Sequence, residues 1–170
     1  FKGVEFLFPY DFDKNKIQEH LENHSLQLVL FNMPPGDWKN GERGMACNPN
    51  KIAEFQDSVE LAIEYATLLN CPKLHCMAGI KPPKTDAETL TETYKNNLRF
   101  AAREAKKRDI TVLIEAINFY DMPNFFLNSS TAAFDVISDL NEPNLMFQYD
   151  IYHMQIMEGN LANTIKKNIE

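Results

Sequence analysis

No apolar run in this sequence approaches the roughly 20 residues that a helix needs to cross a bilayer, which excludes a helical membrane protein. Basic residues are in the minority: 17 Lys and Arg stand against 24 Asp and Glu, a formal net charge of −7. A surface of that sign repels a phosphate backbone, so nucleic acid is excluded as a general partner. Cysteine is scarce. Cys47, Cys71 and Cys76 form neither an even disulfide set nor a zinc spacing, which fits the reducing cytoplasm. Glycine is scarce too, with six in 170 residues, and no Gly-x-Gly-x-x-Gly follows an apolar segment, so the usual dinucleotide fingerprint is missing. Low-complexity segments and interdomain linkers are likewise absent. What remains is 44% apolar and 24% charged, the balance of one soluble globular domain over residues 1–170.

Short apolar runs alternate with longer amphipathic stretches. Val4–Phe8, Leu26–Phe31, Lys73–Met77, Thr111–Glu115 and Leu145–Asp150 read as strands buried on both faces. Helices are expected over Asp13–Asn23, Asn50–Leu69, Asp86–Arg108, Thr131–Leu140 and Gly159–Glu170. In the second of these, Ile52, Phe55, Val59, Ile63 and Ala66 recur every three or four residues and make one apolar face. Repeated strand–helix units imply a parallel sheet covered by helices. A doubly wound sheet and part of an eight-stranded barrel both fit. Five units of a barrel of about 250 residues come to about 160, which favours the α/β partial TIM (β/α)8 barrel. The chain opens at Phe1 in strand-like sequence and stops at Glu170 in helix-like sequence, so it reads as a domain incomplete at both ends.

Two acids end apolar strands: Glu115 in Thr-Val-Leu-Ile-Glu and Asp150 in Leu-Met-Phe-Gln-Tyr-Asp. A charge inside a barrel is costly unless paired, so both belong at the rim, where barrel active sites lie. Two oxygen donors from neighbouring strand ends suit a hard divalent cation such as Mg2+ or Mn2+; capping of the following loops is the plainer alternative. His153 leaves the same strand end as Asp150 and is able to face the same pocket. His75 is placed either at the barrel mouth or in the core, and His20 and His24 on a solvated helix face. Glu5, inside an apolar strand, needs a partner, which could come from a strand outside this chain, and is expected to make a structural ion pair. The long loop Pro34–Asn50 carries the only Trp, Trp38, and Arg43, which could grip a substrate carboxylate bidentately if the loop acts as a lid. An ordered surface loop with Trp38 packed down is the competing expectation.

The segments Val4-Glu-Phe-Leu-Phe-Pro-Tyr10, Phe31-Asn-Met-Pro-Pro-Gly-Asp-Trp38, Gly41-Glu-Arg-Gly44, His75-Cys-Met-Ala-Gly79, Leu113-Ile-Glu-Ala-Ile-Asn118 and Asp150-Ile-Tyr-His-Met-Gln155 together resemble the hydroxypyruvate isomerase family of the xylose-isomerase-like TIM barrels. The similarity runs in order along essentially the whole chain. It implies that the chain corresponds to strands two to six of the family barrel. It also implies that Glu115 is both proton donor/acceptor and metal ligand, that Asp150 is a metal ligand, and that His153 contacts the substrate. The second catalytic Glu and the remaining ligands would come from later strands. The implied reaction converts hydroxypyruvate to tartronate semialdehyde with a divalent metal and no organic cofactor.

On this reading the fragment alone is inactive. Its uncovered apolar inner face would favour association with other copies, a homo-oligomer. A small sugar-acid isomerase or epimerase acting on a 2-oxo-tetronate is the alternative within the superfamily. A non-catalytic barrel fragment that binds a carboxylate or a protein is the alternative of another class.

Overall fold

Each apolar segment is too short for a helix and forms a strand. The expectation of burial on both faces fails at the two edges of the sheet: the first strand has no buried residue and the fifth only Leu145, because no further strand pairs with their outer sides. The structure, a computed structural model, describes residues 1–169. Among them are β1 (Gly3–Phe6), β2 (Gln27–Asn32), β3 (Lys73–His75), β4 (Thr111–Glu115) and β5 (Leu145–Gln148). All pairings are parallel, and the strand order β1-β2-β3-β4-β5 follows the chain. A doubly wound sheet reverses direction at a switch point, whereas this one never turns back. It is the arc of a barrel.

The helices start and stop where their local chemistry allows. Asp13 caps α1 (Lys14–Asn23) and Asp86 caps α3 (Ala87–Lys106), each carboxylate accepting a first-turn N–H, from Asn15 and Thr89. Ser129 caps α4 (Ser130–Leu140) through the N–H of Ala132, and Asn141 ends it in the left-handed conformation. The apolar face expected between Asn50 and Leu69 is real: Phe55, Val59, Ala62 and Ala66 of α2 (Ile52–Leu68) are buried. With Leu98, Ala101, Ala102 and Ala105 of α3 they cover Phe31, Leu74, Val112 and Ile114 on the outer face of the sheet. Alanines at the crossing of α2 and α3 let the backbones approach without leaving voids. Each large side chain buried in this layer contributes roughly 1.5–3 kcal/mol. Asn144 ties the base of α3 to the start of β4, its amide donating to the carbonyls of Ala102 and Ile110 at 2.8 and 2.9 Å.

The structure corrects the expected boundaries after β3 and β5. β3 ends at His75, and Cys76 and Met77 belong to the loop that receives the Pro34–Asn50 segment. β5 ends at Gln148. Asp150 is not its last residue but the cap of α5 (Ile151–Met157), accepting the Tyr152 N–H at 2.7 Å. Sequence periodicity missed that short helix. Gly159 (φ +64°) and Asn160 (φ +50°) then break the chain before α6 (Leu161–Asn168). The expected terminal helix is shorter than Gly159–Glu170, and Glu170 lies outside the described residues.

Candidate active site

On β4 the side chains of Val112 and Ile114 are fully buried against the helices, so the alternation of a strand sends Leu113 and Glu115 to the opposite face. The same pleat brings the last residues of the other strands to that side. Asn32 ends β2 opposite His75 at the end of β3, and Gln148 ends β5 opposite Glu115. These strand ends open into a cleft of about 420 Å3, which Glu5, Trp38, Asp150 and His153 also line.

Glu115 is only 8% exposed. Burial raises its carboxyl from 4.5 to about 7, helped by the charge of Asp150, a hydrogen bond with that second carboxyl and, more weakly, the charge of Glu5; the Gln148 amide works the other way. Two carboxyls this close must share a proton or a cation. His75 is 3% exposed and is held down to about 4 by burial, so it is a neutral imidazole at ordinary pH. Its Nδ1 lies 3.0 Å from Asn32 Oδ1, and its Nε2 is 3.7 Å from Glu115 without a hydrogen-bond partner. His75 is therefore both buried and at the cleft, the two places that its sequence context left open. His153 sits at the start of α5 with Nδ1 2.8 Å from the side-chain nitrogen of Asn118. Glu115, Asp150 and His153 each offer a ligand atom within 4.8 Å of the others.

Arg43 is not brought to these groups. Its guanidinium donates to the carbonyls of Trp38 (3.0 Å) and Glu42 (2.7 Å) and stacks on the Trp38 ring at 3.9 Å. It supports the indole, and Trp38 rather than Arg43 lines the cleft, resting edge-on against Phe8. The loop around them is anchored. Gly44 (φ +109°) bridges to Ala78, where any Cβ would stand 2.4 Å from the Met77 carbonyl oxygen. Met45, Ala46 and Cys47 are buried beneath.

Glu5 has no ion-pair partner among the described residues and lines the cleft as a third carboxylate. His20 and His24 are exposed, as their helix face implied. Gln148, Asn118 and Asp121 escaped the sequence reading. Gln148 carried one usable signal, its place two residues before Asp150 on an apolar strand. Asn118 stood only at the end of the segment Leu113–Asn118 that carries the resemblance, with no role attached to it, and Asp121 carried no signal.

Residues 1–169 match the model of the xylose isomerase-like TIM barrel family. The chain belongs to that family. The hydroxypyruvate isomerase of Escherichia coli (strain K12) is 46% identical to the chain over 165 residues, which cover 97% of this chain and 64% of that protein. The 2-oxo-tetronate isomerase of Cupriavidus necator is 41% identical over 169 residues, covering 99% of this chain and 65% of its own length. A crystal structure described as an AP endonuclease, family 2, from Brucella melitensis superposes with a TM-score of 0.95 at 46% identity, covering 98% of this chain and 64% of that one. The chain thus spans just under two thirds of the length of the curated relatives it matches. No helix among the described residues is long and apolar enough to cross a membrane.

The donor set fits a divalent cation. Two carboxylates meet at the mouth of the barrel, and two buried polar atoms beside them, His75 Nε2 and Gln148 Oε1, have no hydrogen-bond partner. Oxygen-rich donors of this kind suit hard ions more than soft ones.

Proposed function

We propose that the full-length protein carrying this sequence is a sugar-acid isomerase that interconverts hydroxypyruvate and tartronate semialdehyde (2-hydroxy-3-oxopropanoate). The observation that carries the reading is the meeting of Glu115 and Asp150 at the strand ends, with Glu115 raised to about 7. That value belongs to the cation-free site; a cation on the same carboxylate would lower it, so Glu115 works as a base through its position beside the substrate carbon rather than through a matched pKa. Its similarity to the E. coli enzyme supports the choice of substrate.

In this reading Glu115 takes the proton from the hydroxymethyl carbon of hydroxypyruvate. The electron pair of that C–H bond forms a carbon–carbon double bond, and the neighbouring carbonyl oxygen becomes an ene-diolate oxygen that picks up a proton. Loss of the proton from the former hydroxyl oxygen makes the aldehyde, and the next carbon receives a proton in return. No electrons leave the substrate, so no redox cofactor is required. Glu115 and Asp150 would hold the divalent cation, Mg2+ or Mn2+, which when bound would supply positive charge to the developing ene-diolate. His153 contacts the substrate oxygens, His75 and Asn32 form the floor of the cleft, and Trp38 shields one side from water. Three free, buried cysteines fit a cytoplasmic enzyme.

The test is turnover of hydroxypyruvate by the full-length protein with and without added Mg2+ or Mn2+, beside Glu115→Gln. Metal-dependent turnover lost in the variant is the expected result, and the 170-residue chain alone is expected to be inactive. Similarity to the Cupriavidus enzyme favours a 2-oxo-tetronate as the second reading. A higher kcat/KM on that substrate would move the assignment and leave the mechanism in place. Absence of turnover on both would refute it.

A further inference from the structure

Asn118 lies three residues beyond Glu115, in the turn that leaves β4, and is completely buried. An amide side chain has two ends of similar shape and opposite polarity, and its neighbours decide which is which. One end accepts the backbone N–H groups of Tyr120 at 3.1 Å and Asp121 at 2.9 Å. Backbone N–H groups only donate, so that end is the oxygen. The amino group therefore faces the other way, with Asp121 Oδ2 at 2.9 Å and His153 Nδ1 at 2.8 Å. One of its hydrogens goes to the Asp121 carboxylate, which is also held by the Tyr152 hydroxyl at 2.6 Å. The second goes to His153. The Asn118 backbone N–H points to the same imidazole nitrogen at 3.4 Å. Two donors facing Nδ1 leave no room for a hydrogen on it. Nδ1 is the lone-pair nitrogen, and the ring proton sits on Nε2.

We propose that Asn118, anchored by Asp121 and Tyr152, is a positioning residue that fixes His153 as an Nε2–H donor to a substrate oxygen and so withholds it from the cation. The inference rests on the isomerase reading for its substrate, but not for its geometry. A histidine that ligates a metal presents a bare nitrogen to it and normally donates the other N–H to a carboxylate or carbonyl. Here the second nitrogen accepts instead. Nε2 is 3.9 Å from Asp150 Oδ2, beyond hydrogen-bond reach, so its proton remains available. Glu115, Asp150 and His153 therefore converge without being equivalent: the carboxylates serve the cation and the imidazole serves the oxygen on which charge develops. Tyr152 and His153 are neighbours in the first turn of α5, so this network also ties that turn to the loop that follows β4.

Asn118→Asp keeps oxygens for the two backbone donors but turns an acceptor toward Nδ1, which draws the ring proton there. It also puts two carboxylates side by side. Asn118→Asp combined with Asp121→Asn removes that repulsion and restores a donor–acceptor pair between 118 and 121, yet still presents an acceptor to Nδ1. Both are made in the full-length protein with 15N-labelled histidine and examined at pH 9, above the titration of a free imidazole. Long-range 1H–15N spectra report the tautomer of His153, kinetics with hydroxypyruvate report kcat, and calorimetry with Mn2+ reports cation affinity.

The native protein is expected to show the Nε2–H form. Both variants are expected to show a protonated Nδ1, a kcat lower by about 10²-fold, as for loss of one oxyanion donor, and an unchanged Mn2+ affinity. Recovery of kcat in the double variant would make Asn118 merely structural and overturn the proposal. So would an Nδ1–H tautomer in the native protein, or a loss of Mn2+ affinity that follows kcat. Failure of the native enzyme to turn over any oxo acid would refute the isomerase reading, while the spectra and the Mn2+ titration would still decide the tautomer and the ligand set.

Discussion

Replacing Glu115 by Gln should stabilise the cation-free protein while abolishing turnover, and the size of the gain follows from the site. In the folded chain the Glu115 carboxyl titrates at about 7 instead of 4.5. The folded state holds that proton more tightly than the unfolded chain does, so unfolding releases it between those two values. Stability therefore falls as pH rises through that window and stays low above it. At about 1.4 kcal/mol per pH unit the loss comes to about 3 kcal/mol by pH 8, and the side chain is too buried for solvent to screen much of it. Glutamine fills the same space without the charge. The variant should match wild type near pH 4.5 and exceed it by about 3 kcal/mol at pH 8. Urea unfolding of the full-length protein with a chelator present, followed by far-ultraviolet circular dichroism at pH 4.5, 6 and 8, measures this difference directly. His75 titrates in an overlapping range with the opposite slope, but it is common to both proteins and cancels in the comparison. Saturating Mn2+ should reverse the order, because only the wild type gains a cation held by two carboxylates. Parallel stability curves across the pH range in chelator would refute the argument, since they would mean that burial and the neighbouring Asp150 do not hold the Glu115 proton in the folded protein.

Buried neutral His75, lowered from 6.5 to about 4, should make wild type lose stability as pH falls from 6.5 toward 4, and His75→Gln should flatten that part of the denaturation profile. Gly44→Ala forces a Cβ to within 2.4 Å of the Met77 carbonyl oxygen at φ +109°, and should cost at least 1–3 kcal/mol in thermal or urea unfolding. Gly41→Ala, at φ +96° with nothing within 4 Å, should cost less, so equal losses would remove the docking of this loop as the cause. Arg43→Ala should raise KM a few-fold through a looser Trp38 with kcat little changed, and Arg43→Lys should restore it only in part, because an ammonium cannot stack as a planar guanidinium does. A drop in kcat of about 10²-fold instead would mean that Arg43 reaches the reacting atoms.

The sequence by itself determined the strand–helix alternation, the buried faces of α2 and α3, and the prominence of Glu115 and Asp150. All of these are local signals. A helix repeats its buried side every three or four residues, and a carboxylate at the end of an apolar run stands out because burying it alone is so costly. Sequence spacing also put His153 beside Asp150. Only the tertiary structure decided what those groups meet. His75 lies against Asn32, 43 residues away, and His153 against Asn118, 35 residues away. Glu5 joins the carboxylates across the arc of strands, and Arg43 turns to Trp38 because the loop is docked at Gly44 against Met77. Periodicity records which face of an element is buried, whereas hydrogen-bond partners and the tautomer of an imidazole depend on groups that only the assembled sheet and its loops bring within 3 Å.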